Sequence, residues 1–220
     1  MPGTPKAIQG ERDWKELEKL GITTRVNPKD CNLWTSPLHQ VPKPDGTLRS
    51  CGDFRVLNDK TLLDSYPLPN LRHFTAKLKG SKVFSKIDLT KAYHQIPLDE
   101  ASQKKATVLT PWGAWQFKRL AMGLKNAGQS FQRLMDHIFG DMQTLFVYMD
   151  DLLIFSEDEQ SHMKTVEEVL RRLDENGLSI SIKKCVFGAK ELEFVGYNVD
   201  SKGIKPLPRK LTAIASFPPP

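Results

Sequence analysis

Two adjacent carboxylates, Asp150 and Asp151, stand between two short apolar runs of the sequence. The runs at 145–149 and 152–155 predict a buried β-hairpin that has both acids in its turn. Because like charges about 4 Å apart repel by roughly 4 kcal/mol at an effective dielectric near 20, a proton or a cation must offset them. Divalent metal ions prefer hard oxygen ligands of this kind. Taken alone, an exposed turn with two acids is the simpler explanation.

Asp88 changes that balance, because it ends a strand predicted over 83–89. If this strand lies beside the hairpin, three carboxylates converge on one sheet. Such a cluster can hold two Mg²⁺ ions about 3.5–4 Å apart, which stabilise the attacking and leaving oxygens of a displacement at phosphorus. One ion would lower the pKa of an attacking hydroxyl, and the other would neutralise a triphosphate leaving group.

Basic residues are concentrated just before Asp88. The chain has a formal net charge of +6 and a pI near 9.2. Within residues 72–91, Arg72 and several lysines accompany the single acid Asp88. This excess fits a polyanionic partner such as a nucleic-acid backbone, and it fits a solvated basic face equally well.

The composition excludes several classes of protein. With 220 residues, 39% hydrophobic and 26% charged, the chain is typical of a globular protein. Its longest apolar run, 145–149, is far shorter than the roughly 20 residues of a membrane-spanning helix. The N-terminus lacks an apolar segment typical of a secretion signal, and three widely spaced cysteines fit a reducing compartment. We therefore expect an intracellular, cytoplasmic protein without a membrane partner.

Helices alternate with short strands along the chain, which predicts an α+β domain with an antiparallel sheet. Asp13 is expected to cap a two-turn helix that stops at Gly21. Further helices are predicted over 71–78, 127–138 and 163–173. Besides 83–89 and the acid-bearing hairpin, strands are expected in a hairpin of 38–41 with 48–53, in a hairpin within 112–120, over 178–182, and over 192–199 with a bend at Gly196.

Eight blocks of the sequence resemble, in order, the motifs of reverse transcriptases of the retroviral and LTR-retrotransposon group, most closely the gypsy-type Pol polyproteins. The blocks lie at 41–49, 53–58, 66–69, 84–89, 92–96, 131–135, 148–151 and 194–197. The block at 148–151 reads Tyr-Met-Asp-Asp, and the similarity runs from about residue 34 to residue 208. The resemblance implies an RNA-directed DNA polymerase.

The same resemblance implies a right-hand fingers–palm fold with an antiparallel palm sheet packed on helices. Residues 1–35 would form an N-terminal arm with a short helix. Fingers would span about 36–62 and 97–126, palm about 63–96 and 127–205, and a truncated thumb or connection linker would start at 206–220. A thumb is thus expected to be absent, and the native protein is expected to continue into thumb, connection and ribonuclease H regions.

Site residues follow from the resemblance position by position. Asp88 and Asp150 would bridge both metals, Asp151 would complete the site beside the primer terminus, and Leu89 belongs to the metal set. The nucleotide would contact Lys43, Arg49, Lys91, Ala92, Tyr93 and Met122. Template and primer would contact Gly123, Tyr148, Met149, Phe194, Val195 and Gly196. The aromatic ring of Tyr93 would fill the space of a ribose 2′-hydroxyl, which favours DNA synthesis over RNA synthesis.

The resulting prediction is a polymerase that extends a primer 3′ end with dNTPs on an RNA or DNA template. Its cofactor would be two Mg²⁺ ions, with Mn²⁺ as a substitute. The protein could act in the cytoplasm, in a virus-like particle or in the nucleus. The alternative is a catalytically inactive polymerase remnant that serves as a nucleic-acid-binding module.

Overall fold

A computed structural model gives the structure of the chain and describes residues 4–30, 32–42, 48–70, 75, 77–78 and 80–208, with the side chains of residues 5 and 6 left undescribed. The backbone contacts divide the chain into two compact units. The first unit comprises residues 1–65 and 91–128, and the second comprises residues 66–90 and 129–220. In the described part of the chain, no helix is long and apolar enough to span a bilayer.

The described helices are α1 (Pro5–Lys19), α2 (Arg55–Lys60), α3 (Glu100–Lys105), α4 (Ala127–Phe139) and α5 (Glu159–Glu175), with short 3₁₀ helices at Ala92–Gln95 and Ile182–Lys184. The described strands are β1 (Thr23–Val26), β2 (Thr35–Pro42), β3 (Leu48–Gly52), β4 (Val83–Asp88), β5 (Thr107–Thr110), β6 (Gly113–Phe117), β7 (Leu145–Tyr148), β8 (Asp151–Ser156), β9 (Val186–Ala189), β10 (Glu191–Phe194), β11 (Tyr197–Asp200) and β12 (Gly203–Pro206).

The first unit contains a five-stranded sheet in the order β1-β6-β5-β2-β3. Strands β2 and β5 pair in parallel, and the other neighbours pair antiparallel. The predicted pairing of 38–41 with 48–53 is present, since Val41 pairs with Arg49, and the residues that connect the two strands, 43–47, lie outside the described residues. The second predicted hairpin is β5–β6, which closes between Thr110 and Gly113 and therefore starts earlier than expected.

Helix α1 corrects the expected two-turn helix, because it has 15 residues. Thr4 is the actual cap: its hydroxyl accepts a hydrogen bond from the Ala7 amide, and a proline at the first position favours a helical start. Asp13 lies inside the helix. Gly10, also inside, lets the backbone approach the sheet, since a Cβ there would come within 2.7 Å of Trp112. The end at Gly21 agrees with the prediction.

The N-terminal helix also belongs to the core of the first unit, although residues 1–35 were expected to form an arm. Trp14 has no exposed surface. Its ring lies 6.0 Å from that of Trp115 and 5.6 Å from that of Phe117. Aromatic pairs at these distances add to the free energy of apolar burial.

The second unit contains a four-stranded antiparallel sheet in the order β7-β8-β4-β9 and a three-stranded sheet in the order β10-β11-β12. Both sheets contribute to one core, formed by Leu78, Phe84, Phe146, Leu153, Phe155, Leu192, Phe194 and Val199. The prediction of an α+β fold with an antiparallel sheet is confirmed. The strand over 83–89 and the hairpin around Asp150 are also present.

Helices α4 and α5 agree with their predictions. Phe131 and Met135, on the apolar face of α4, are fully buried. Asp158 caps α5 by accepting a hydrogen bond from the Ser161 amide at 2.9 Å, and the chain leaves this helix through Gly177, at φ +66°. The helix predicted over 71–78 lies almost entirely outside the described residues.

Two strand predictions in the second unit were wrong. Residues 178–182 form an isolated bridge, Leu89 with Ile180, because the chain then enters the 3₁₀ helix Ile182–Lys184. Residues 192–199 form two strands instead of one bent strand. Val195 and Gly196 have φ of +47° and +76°, which reverses the chain between β10 and β11.

Candidate active site

Register brings the three aspartates to one end of the four-stranded sheet. Asp88, the last residue of β4, is paired with Asp151, the first residue of β8. Asp151 is also paired with Tyr148 of β7, so the turn between the two strands consists of Met149 and Asp150. The expectation that both acids occupy the turn is thus corrected: Asp150 is in the turn, and Asp151 is in the strand. Asp88 and Asp151 are thus partners across the sheet, and Asp150 precedes Asp151 in the turn.

The electrostatics of Asp150 reflect this convergence. Asp150 lies at the exposed tip of the turn, but nearby protein atoms remove enough water from its carboxyl group to raise its pKa above the ordinary value. The negative charges of Asp151 and Asp88 raise this pKa further, whereas the Lys184 ammonium group opposes the rise. The site therefore favours the uptake of positive charge.

Two lysines supply positive charge to the other two aspartates. Lys86 Nζ lies 2.9 Å from Asp151 Oδ1, and Lys184 Nζ lies 3.4 Å from Asp88 Oδ1. Sequence reasoning did not assign either lysine to the site. Alternation along β4 could have identified Lys86, since it is two residues before Asp88 and hence on the same face of the sheet.

The donor set suits a hard cation, although the side chains are not arranged as a finished cage. Asp88 Oδ1 is buried and makes no hydrogen bond within the described residues, so its contact with Lys184 is purely ionic. Across the described ranges, no group of three or more His, Cys, Asp or Glu side chains is arranged to hold a metal ion. Because Lys86 and Lys184 already contact Asp151 and Asp88, a divalent cation would have to compete with the two ammonium groups for these oxygens.

A side chain of helix α4 holds the Met149–Asp150 turn in place. Met149 has φ +55°, a left-handed conformation that is uncommon outside glycine. Its amide donates a hydrogen bond to Gln132 Oε1 at 3.3 Å. Gln132 is only 1% exposed, so this polar side chain is buried behind the turn. The sequence placed Gln132 in the helix predicted over 127–138 and in the family block at 131–135, but it did not indicate this contact.

The other predicted site residues of the second unit differ in which of their atoms could contact a metal ion or a primer. Leu89 is 3% exposed, so only its main-chain oxygen could reach a metal. Phe194 is buried in the core, and Tyr148 and Val195 pack against that core. Any contact of the β10–β11 turn with a primer would therefore come chiefly from the backbone of Val195 and Gly196.

The predicted nucleotide residues belong to the first unit. Arg49 is exposed on β3. Lys91 has φ +48° and precedes the 3₁₀ helix that contains Tyr93 and the buried Ala92. Met122 is 44% exposed. Lys43, the remaining residue of the nucleotide set, lies outside the described residues. Gly123, predicted as a template contact, also belongs to this unit, and its carbonyl accepts a hydrogen bond from Asn58 at 2.8 Å. The roles of all these residues stay predictions.

The family profile described as "Reverse transcriptase (RNA-dependent DNA polymerase)" matches residues 41–199. This chain belongs to the reverse transcriptase family. The predicted family is thereby confirmed. Reverse transcriptases generally use divalent metal ions, which fits the carboxylate set at Asp88, Asp150 and Asp151.

Relatives among retrotransposons support the membership. The retrovirus-related Pol polyprotein from transposon opus of Drosophila melanogaster is 38% identical over 96% of this chain and 21% of its own length. The Pol polyprotein from transposon gypsy of the same organism is 37% identical over 76% of the chain and 16% of its own length. Transposon Tf2-3 polyprotein of Schizosaccharomyces pombe is 34% identical over the full chain and 16% of its own length. The chain thus spans about a fifth or less of these relatives.

Solved structures show the same fold. The foamy viral protease-reverse transcriptase dRH, in complex with double-stranded DNA, has a TM-score of 0.88 at 23% identity and matches 99% of this chain and 38% of its own. The foamy viral protease-reverse transcriptase in complex with an RNA/DNA hybrid has a TM-score of 0.85 at 23% identity and matches 99% of this chain and 29% of its own. The predicted fingers–palm fold class is confirmed by these matches.

Proposed function

We propose that Asp88, Asp150 and Asp151 form the catalytic centre with which this chain adds deoxynucleotides to the 3′ end of a primer. The observation that carries the proposal is the pairing of Asp88 with Asp151 across β4 and β8, next to the turn that holds Asp150. Three carboxylates at one sheet end form an unfavourable concentration of negative charge unless cations are drawn to it. Nucleotidyl transfer is a reaction that uses such cations.

The cofactor is proposed to be Mg²⁺, with Mn²⁺ as a substitute. The three carboxylates would hold the ions, and the backbone oxygen of Leu89 could add a ligand. The buried Asp88 Oδ1, without a hydrogen-bond partner in the described ranges, supports this choice. When bound, the ions would make the primer hydroxyl a better nucleophile and neutralise charge on the departing pyrophosphate.

The chain's own groups have separable tasks in this proposal. Lys86 and Lys184 form ion pairs with Asp151 and Asp88 and limit repulsion among the three acids. The Met149 amide, bound to Gln132, fixes the turn that presents Asp150. These contacts orient carboxylates before a substrate arrives, so less reorganisation is needed during the reaction.

The substrates are proposed to be a primer on an RNA or DNA template and dNTPs. The foamy viral relatives, whose complexes contain double-stranded DNA or an RNA/DNA hybrid, support a nucleic-acid partner. Lys43, Arg49, Lys91, Ala92, Tyr93 and Met122 are the proposed nucleotide contacts, and Gly123, Tyr148, Met149, Phe194, Val195 and Gly196 are the proposed template and primer contacts. The greater length of the retrotransposon relatives fits a native protein that continues into further regions.

Extension of a DNA primer on an RNA template by one nucleotide tests the proposal. Wild type should incorporate a dNTP in Mg²⁺, and Asp150→Asn should be slower by about 100-fold or more, because even partners of metal ligands contribute about 10–100-fold. Asp174→Asn is the matched control, since it makes the same chemical change at an exposed position of α5. Equal rates in Asp150→Asn and wild type, or incorporation in neither, would favour the inactive nucleic-acid-binding alternative.

A further inference from the structure

A chain of hydrogen bonds runs from the exposed side of helix α4 to the turn that carries Asp150. The Tyr66 hydroxyl donates to Asp136 Oδ2 at 2.7 Å. Gln132 Nε2 donates to Asp136 Oδ1 at 2.9 Å, and Gln132 Oε1 accepts from the Met149 amide at 3.3 Å. All four residues belong to the second unit.

Asp136 determines which way the Gln132 amide faces. An ionised carboxylate can only accept hydrogen bonds, so the NH₂ group of Gln132 must point toward Asp136. The amide oxygen then points the other way, toward the Met149 N–H. If Gln132 were turned over, two donors would face each other at the turn and two acceptors would face each other at Asp136.

Tyr66 fixes the orientation of the Asp136 carboxylate. Its hydroxyl occupies the second oxygen of Asp136, and this hydrogen bond is the first cause of a raised Tyr66 pKa, so the hydroxyl stays protonated as a donor. The Arg133 guanidinium lies 4.6 Å from the centre of the Tyr66 ring. Contact with a cation at this distance is attractive and holds the ring in place.

The turn needs such a constraint because its backbone is uncommon. Met149 is left-handed, at φ +55°, and the pair Tyr148–Asp151 closes the hairpin directly behind it. A shift of this peptide would move Asp150 relative to Asp88 and Asp151. The buried Gln132 is the side chain that meets the Met149 amide.

We infer that Asp136 and Tyr66 are positioning residues for nucleotide addition: they orient Gln132, which holds the Met149–Asp150 turn in its catalytic geometry. The inference rests on the proposed function, since it assigns Asp150 to the reaction. Neither residue touches the substrate in this account. Their effect passes through the Gln132 amide.

Single-turnover dNTP incorporation and residue-resolved amide hydrogen exchange test the inference together. Asp136→Asn allows the Gln132 amide to turn over, and Tyr66→Phe removes only one hydroxyl. We expect each variant to lower the maximal rate by about tenfold, the effect of one lost hydrogen bond, with the apparent dNTP affinity unchanged. Exchange of the Met149 amide should become faster in both.

A double variant separates this role from a general loss of structure. Because both residues act through Gln132, Asp136→Asn combined with Tyr66→Phe should be little slower than the slower single variant. Asp174→Asn should change neither the rate nor the exchange of Met149. Independent, multiplying losses in the double variant, or an unchanged maximal rate or Met149 exchange in Asp136→Asn, would overturn the inference. An inactive wild type would overturn the proposed function instead, and Met149 exchange would still report on the hydrogen-bond chain.

Discussion

Two hairpins of the second unit close through two-residue turns whose first residue is left-handed. These turns are Met149–Asp150, between β7 and β8, and Val195–Gly196, between β10 and β11. Met149 has φ +55° and Val195 has φ +47°. For a residue with a side chain, this conformation costs roughly 1–2 kcal/mol. Both turns therefore need support from elsewhere in the unit.

The support differs between the two turns. The Met149 amide is held by the hydrogen bond that it donates to Oε1 of the buried Gln132. Val195 packs on the core, it follows the buried Phe194, and Gly196 adopts its left-handed φ without a steric penalty. The comparison indicates that the Met149–Asp150 turn depends on polar contacts that orient it, whereas the Val195–Gly196 turn depends on apolar packing that stabilises it.

The largest effect is expected from removing the apolar packing beside the Val195–Gly196 turn. Phe194→Ala removes a ring that is 1% exposed and lies 6.1 Å from the ring of Phe146 on β7. We expect the free energy of unfolding to fall by about 3–5 kcal/mol, measured by urea denaturation. Phe187→Ala, the same change at a 47% exposed position, should cost less than about 0.5 kcal/mol. Equal losses at the two positions would contradict the assignment.

The next largest effect is expected from removing the hydrogen-bond partner of the Met149 amide. Gln132→Leu keeps the size of the side chain but leaves the Met149 amide without the partner it has here, which should lower the free energy of unfolding by about 1–3 kcal/mol. Because the turn carries Asp150, single-nucleotide incorporation should also slow. A variant that loses stability but keeps the wild-type rate would show that the turn does not need this hydrogen bond for activity.

Acid should destabilise the four-stranded sheet that contains the Met149–Asp150 turn. His162 is 3% exposed and lies 2.7 Å from Ser85 Oγ of β4 and 3.1 Å from Ser156 Oγ of β8. Burial lowers the pKa of His162. The unfolded chain therefore binds more protons, and stability is lost as the pH falls below the unfolded value near 6.5, by up to about 1.4 kcal/mol per pH unit.

Urea denaturation at pH 7.5 and 5.5 measures this loss. His162→Gln should reduce the difference between the two pH values, although burial also lowers the pKa of His94 and leaves part of the slope. His39→Gln, at an exposed position of β2, should keep the wild-type difference. An unchanged pH dependence in His162→Gln would show that this histidine is not the source.

The smallest effects are expected from glycine substitutions at Met149 and Val195, which compare the two turns directly. Met149→Gly relieves the left-handed strain, and the greater freedom of glycine in the unfolded chain offsets about 0.5–1 kcal/mol of that gain, so stability should change by less than about 1 kcal/mol. Val195→Gly has the same two effects and also loses apolar packing, so it should be the less stable variant by about 1 kcal/mol. The reverse order in urea denaturation would remove the proposed difference in support.

The sequence was informative where the signal is local. Apolar periodicity predicted α4, and the apolar runs around Asp150 predicted the β7–β8 hairpin. The turn at Val195 was misread as a bend because a β-branched residue favours a strand, so only Gly196 indicated a reversal. Alternation along β4 places Lys86 on the same face as Asp88, but its contact with Asp151 depends on how β4 and β8 pair. The contact of Gln132 with Met149 joins separate elements, and no local pattern reports it. Predicting these two contacts requires the register of β4 with β8 and the position of helix α4.

Binding of Mn²⁺ to the chain with a primer–template and a non-incorporable dNTP analogue, followed by electron paramagnetic resonance, is the most direct test of a metal centre shared by the three aspartates. We predict that wild type and Asp174→Asn bind Mn²⁺ with equal affinity, and that Asp88→Asn and Asp150→Asn each weaken this binding by about tenfold or more. Unchanged Mn²⁺ affinity in both Asp88→Asn and Asp150→Asn would contradict the account.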